Sequence, residues 1–159
     1  MVVLSSITTQ HSFAQDSTKK AQLASLLTSY YDIKNALVNG DAGTAASGGA
    51  QLVKNLNEVD MHSLPEAGHN AFMAVKDKLK ADAASIAATG KIEAQRVAFS
   101  SLSNTIYTLA KAAGLSDSPI YQQYCPMKKM YWLSSETAIK NPYYGKMMLT
   151  CGKVTDTLK

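Results

Sequence analysis

Between Leu23 and Ala113 apolar residues recur every three to four positions in four runs, punctuated by glycines and capping residues. That periodicity belongs to helices with one buried face. In the first run Leu23, Leu26, Leu27, Tyr30, Lys34 and Leu37 share a face; Gly40 supplies a stop and Asp41 an N-cap for the next helix. The second run places Ala42, Ala45, Ala46, Gly49, Leu52, Val53 and Leu56 together, and its small residues admit a close neighbour. The third opens on Ser63-Leu64-Pro65-Glu66, a capping-box pattern with proline in the first turn. Phe72, Val75, Leu79, Ala83 and Ile86 line its face up to Gly90. The fourth runs from Ile92 through Phe99, Leu102, Ile106 and Leu109 to Ala113, with Gly114 as its stop. Short links between long amphipathic helices favour antiparallel neighbours, so the expected fold is all-α: an up-down-up-down four-helix bundle.

Composition fits a single domain: 46% of the 159 residues are hydrophobic and 18% are charged. The charged fraction lies below the roughly 25% of an average soluble protein, which excludes a disordered, highly charged chain. No run approaches the roughly 18 apolar residues of a membrane-spanning helix. Sixteen Lys plus Arg against twelve Asp plus Glu leave +4, spread along the chain, so nucleic acid is not an expected partner. Residues 1–14, MVVLSSITTQHSFA, carry no acid or base and end with Ser12 and Ala14 where signal peptidase accepts small residues. There is no basic n-region, and the apolar patch is only Val2, Val3 and Leu4. The segment reads as the remainder of an export signal ahead of one domain, 15–159, in the periplasm. A frayed polar tail is the competing reading.

After Gly114 the character changes, and residues 120–154 become dense in Tyr, Met, Pro and Cys. Asn141-Pro142 and Gly145 break any long helix. The expectation is an irregular C-terminal hook folded back across the bundle, with short helices over 135–140 and 146–151. Trp132 and Tyr143 or Tyr144 would anchor it.

Tyr124 to Val154 holds both cysteines and four of the seven methionines. Thiolate and thioether sulfurs are soft donors, which suit Cu(I) or Ag(I). Cys125 and Met127 are two apart around Pro126, so they meet one ion only if the chain turns there. On a short helix Met147 or Met148 would share a face with Cys151. Two other readings stay open. A Cys125–Cys151 disulfide would close a loop of about 27 residues and stabilise by roughly 3–4 kcal/mol on a loop-entropy treatment. Alternatively the methionines are core filler. A second, looser group is Met61, His62, His69 and Met73, where His69 and Met73 are four apart on the third helix. Gln95 and Arg96 are candidates to tie the tail down through its carbonyls, and Lys128-Lys129 stand beside the sulfur cluster. No Gly-x-Ser-x-Gly, His-Glu-x-x-His or Cys-x-x-Cys motif is present, so binding rather than catalysis is expected.

Tyr124-Cys125-Pro126-Met127, Tyr131-Trp132-Leu133-Ser134, Asn141-Pro142-Tyr143-Tyr144-Gly145 and Met148-Leu149-x-Cys151-Gly152 resemble the signature of an uncharacterised bacterial domain family. That family occurs as small exported proteins and attached to periplasmic adaptor subunits of copper/silver efflux pumps. Tyr30-Tyr31-x-x-Lys34-x-Ala36-Leu37-Val38 and Gln95-Arg96-x-x-Phe99-x-x-Leu102-Ser103 extend the similarity upstream. The resemblance implies an association with heavy-metal efflux and puts Cys125, Met127, Met148 and Cys151 at the sulfur positions, with Met130 and Met147 ranked below them. Since the chain carries no other adaptor domain, the expected role is a stand-alone one. It would sequester Cu(I) or Ag(I), or deliver it to periplasmic efflux components, as a monomer or weak dimer. The alternative is a structural or interaction module held by the disulfide.

Overall fold

A computed structural model of the chain describes residues 12–159, with side chains from residue 21 onward; the signal-like segment 1–14 falls outside the residues described in full. Helices α1 (Ser12–Asn39), α2 (Ala42–Glu58), α3 (Glu66–Ala87) and α4 (Ile92–Ala113) follow the four apolar runs. Asp41 caps α2, its Oδ1 accepting from the Thr44 N–H at 2.9 Å and its Oδ2 from the Thr44 hydroxyl at 2.6 Å. Gly114 ends α4 in the left-handed conformation, its N–H reaching the Ala110 carbonyl. The capping box at Ser63 does not form. Residues Met61–Ser63 make a separate 3-10 turn capped by Asp60, and the Ser63 hydroxyl donates back to the Asp60 carbonyl at 2.7 Å. Pro65 is then the N-cap of α3, without a side-chain cap bond.

Neighbours in sequence pack together, α1 on α2, α2 on α3 and α3 on α4, and α1 also meets α4. Leu26, Ile33, Leu37, Leu52, Leu56, Phe72, Leu79, Ile86, Phe99, Leu102 and Ile106 are fully buried between them. The small residues of α2 serve close approach as expected: a Cβ on Gly49 would stand 2.7 Å from the Ala83 carbonyl of α3.

The C-terminal part is a three-stranded antiparallel sheet rather than an irregular hook. Strands β1 (Ile120–Cys125), β2 (Met130–Ser134) and β3 (Lys153–Leu158) lie in the order β2-β1-β3. Aromatic and branched residues favour this pleated surface, and a four-residue loop with Lys129 at φ +56 closes the β1–β2 hairpin, Cys125 opposite Met130. Neither short helix forms. Over 135–140 the carbonyls of Glu136, Thr137 and Ala138 are taken by the buried Gln123 Nε2 at 2.9–3.3 Å, which removes the acceptors a helix needs. Over 146–151 a 3-10 turn, Gly145–Met147, gives way to bonds with Asn141, described below.

The sheet rests on α4 through β2. Buried Tyr30 of α1 joins all three layers: its hydroxyl accepts from the Leu133 N–H at 2.9 Å and bonds Ser103 of α4 at 2.7 Å. Its ring stacks on Phe99 at 5.0 Å; Phe99 meets Tyr143 at 6.1 Å, and Tyr143 meets Trp132 edge-on at 5.9 Å. Trp132 and Tyr143 are thus the anchors, and Tyr143 also donates to the Tyr131 carbonyl. Arg96 ties the tail down, donating from Nε to the Pro142 carbonyl at 2.9 Å and from Nη2 to the Leu37 carbonyl at 3.3 Å. Gln95 does not reach the tail. Its amide donates to the carbonyls of Ala42, Ile86 and Thr89, binding helix ends to one another.

Two glycines separate strain from crowding. Gly40 (φ +76) has open space around it, whereas at Gly145 (φ +56) a Cβ would meet the Val38 carbonyl at 2.9 Å and Arg96 Nη2 at 3.1 Å. Gly40→Ala is expected to cost about 1–2 kcal/mol from the backbone alone. Gly145→Ala should add a further ~1–3 kcal/mol for overpacking. Urea titration of both variants checks the ordering, and equal losses would refute the crowding at Gly145.

Candidate thiol site

Strand β3 runs antiparallel to β1 with Lys153 opposite Tyr124. The residues just before β3 therefore pass the last residue of β1, and this register carries Cys151 to Cys125. Gly152 allows the pass: a Cβ there would lie 2.8 Å from Trp132 Cη2 and 3.0 Å from the Tyr124 carbonyl. Cys125 is buried and Cys151 half-buried, both as free thiols. The two lie close enough for Cys125 to act on the titration of Cys151.

Backbone amides of the hairpin loop lie beside the pair. The Lys128 N–H approaches Cys125 Sγ at 3.5 Å, and the Met127 backbone is near enough to Cys151 to lower its pKa. Burial, and then the adjacent Cys125, raise the Cys151 pKa, while the Met127 N–H opposes them. Folding accordingly favours the neutral thiol. This contribution is complete below the ordinary thiol range and is lost as pH rises through the raised pKa.

Asn141 positions the second cysteine. Fully buried, it donates from Nδ2 to the Cys151 carbonyl at 2.7 Å, accepts at Oδ1 from the Tyr143 N–H at 2.8 Å, and donates its own N–H to the Leu149 carbonyl at 2.8 Å. In the sequence it reads only as a breaker before proline; its polarity among the buried anchors is the signal that could have marked it.

The methionines differ in their ties to the pair. Met127, 62% exposed, is linked by its N–H; Met148, 37% exposed, is linked because its carbonyl accepts from the Cys151 N–H at 3.1 Å. Met130 sits opposite Cys125 in the ladder, half-buried, while Met147 is exposed beyond the 3-10 turn. The helical spacing once expected to join Met147 or Met148 to Cys151 is absent. His69 and Met73 are on α3, where the His69 ring nitrogen Nδ1 lies 3.1 Å from the Met61 carbonyl and Met73 is exposed. Among the described residues no three His, Cys, Asp or Glu side chains converge, so neither a histidine nor a carboxylate completes the cysteine pair. Lys128 lies over the Tyr144 ring at 5.1 Å, beside the thiols.

Four helices carrying a small antiparallel sheet, with two cysteines close together at the sheet's end, define the class of protein. Residues 26–118 match the family described as "Protein of unknown function (DUF3347)", and the chain belongs to it. The matched span begins within α1 and ends before β1, so the thiol pair lies beyond it. No curated protein and no solved structure matches the chain.

Because part of the Cys151 shift comes from Cys125, Cys125→Ala is expected to lower the pH midpoint of Cys151 alkylation. Iodoacetamide rates across pH 7–11, read by peptide mass spectrometry, check it; an unchanged or higher midpoint would contradict the adjacency.

Proposed function

We propose that this protein binds Cu(I) or Ag(I) between Cys125 and Cys151, and sequesters the ion or hands it to an efflux system. The observation that carries this reading is the proximity of the two cysteines at the end of the β1–β3 ladder, with the Lys128 N–H 3.5 Å from Cys125 Sγ. A soft monovalent cation replaces the two thiol protons, which leave to solvent, and forms two metal–thiolate bonds. The cation's charge offsets the burial and the Cys125 charge that raise the Cys151 pKa. The Lys128 and Met127 amides stabilise the remaining negative charge on sulfur, and the thioethers of Met127 and Met148 are the nearest further soft donors along the chain. Transfer then proceeds by exchange of these thiolates for those of an acceptor.

The wider setting belongs to the same proposal. The signal-like segment supports export to the periplasm, and the sequence signature around the thiols supports periplasmic efflux components as partners. No described helix is long and apolar enough to cross a membrane. The short links between consecutive packed helices, with α1 meeting α4, support an antiparallel bundle as the carrier.

Sulfur adjacency equally favours one rival, a Cys125–Cys151 disulfide in a structural module. Anaerobic Cu(I) titration against a chromophoric competitor is expected to show uptake that Cys125→Ser/Cys151→Ser abolishes. Asn141→Ala, which keeps both thiols but releases Cys151, should weaken affinity roughly 10–100-fold, as loss of a ligand-orienting partner does. Equal uptake by wild type and the double serine variant would overturn the proposal. So would thiols that label only after harsh reduction, the outcome the disulfide module requires.

A further inference from the structure

On the side of α1 facing residues 135–149 lies a cleft of about 510 Å³, within the size range of small-molecule sites. We propose that it binds a small organic carboxylate, with Lys34 as the buried counter-ion; this inference is independent of the metal reading.

Lys34 is 4% exposed, yet among the described residues its ammonium has no hydrogen bond or ion pair. Its ammonium lies 5.9 Å from the centroid of the Tyr31 ring. The charged groups that act on it, Glu136 and Lys140, both line the cleft, so its amine faces that space. Glu136 is already engaged, accepting from Lys140 Nζ at 2.8 Å. The cleft thus holds two ammonium groups and one carboxylate, leaving one positive charge unbalanced. Burial depresses the Lys34 pKa, and the Glu136 charge, already shared with Lys140, only partly opposes it; no carboxylate bonds the ammonium directly. An anion seated in the cleft supplies that partner.

The remaining walls specify the rest of the ligand. Asn35 and Ser135 offer neutral polar groups, while Tyr31 and Leu149 present an aromatic face and an isobutyl group. A carboxylate with a short apolar body satisfies both kinds of wall; a bare inorganic anion leaves the apolar one wet.

The test is titration of the full chain with butyrate, and separately with inorganic phosphate, followed by amide chemical shifts. Butyrate is expected to shift the amides of Lys34, Asn35 and Ser135 saturably. It should bind at least about tenfold more tightly than phosphate, a difference of about 1.4 kcal/mol. Lys34→Met should abolish the response. The exposed Lys140→Gln, whose loss frees Glu136 to pair with Lys34, should weaken it about tenfold and decides the matter if Lys34→Met does not fold. Non-saturating shifts, butyrate affinity unchanged in either variant, or phosphate binding as tightly as butyrate would overturn the proposal.

Discussion

The guanidinium of Arg96 is the joint on which the C-terminal third depends. It extends from α4 and holds the Leu37 carbonyl near the end of α1, the Pro142 carbonyl of the tail, and Glu93 on its own helix at 2.6 Å. A turn laid across helices buries carbonyls that no ladder serves, and each one left unpaired costs about 1–3 kcal/mol. Arg96 removes that cost where the turn after Asn141 crosses the two helices. Gly145 then packs against the same guanidinium. From Pro142 the constraint passes to Asn141 and from Asn141 to Cys151, so a cation far from the thiols in sequence determines where one of them stands.

The helical layer was legible because burial there repeats with the helix period. Every residue of the first apolar run is buried, including Lys34, and the stops at Gly40 and Gly114 fall where the left-handed backbone requires them. The sheet was harder to read, although its signals are present. Ile120–Cys125 and Met130–Ser134 are two aromatic-rich runs four residues apart, a hairpin pattern. Helical spacing among Met147, Met148 and Cys151 competed with it. That spacing fails for a tertiary reason: Gln123 and Asn141, both fully buried, use their amides on the carbonyls of the two stretches expected to be helical. No window of local sequence shows that a glutamine on β1 will do so.

The candidate site was half legible. The β1–β3 register, with Tyr124 opposite Lys153, brings Cys151 near Cys125, the arrangement that both the metal and the disulfide readings need. Donor types alone could not rank the methionines. Their ties to the pair separate them: Met127 and Met148 connect to Cys151 through single backbone groups, whereas Met147 is exposed past the turn. His69 was grouped with sulfur by softness and by its spacing from Met73, but its ring already lies against the Met61 carbonyl.

The loop from Asn141 to Cys151 has two neighbours, the thiol pair and the Lys34 cleft, and one residue fastens both. The Asn141 backbone N–H holds the Leu149 carbonyl on the cleft wall, and its side-chain amide holds the Cys151 carbonyl. With Asn141 fully buried and its carbonyl accepting from the Gly145 N–H at 2.9 Å, neither bond is free to shift without the other. Leu149 and Cys151 are therefore held by one buried residue, through its backbone N–H and its side-chain amide, and the cleft wall and the thiol pair belong to one loop.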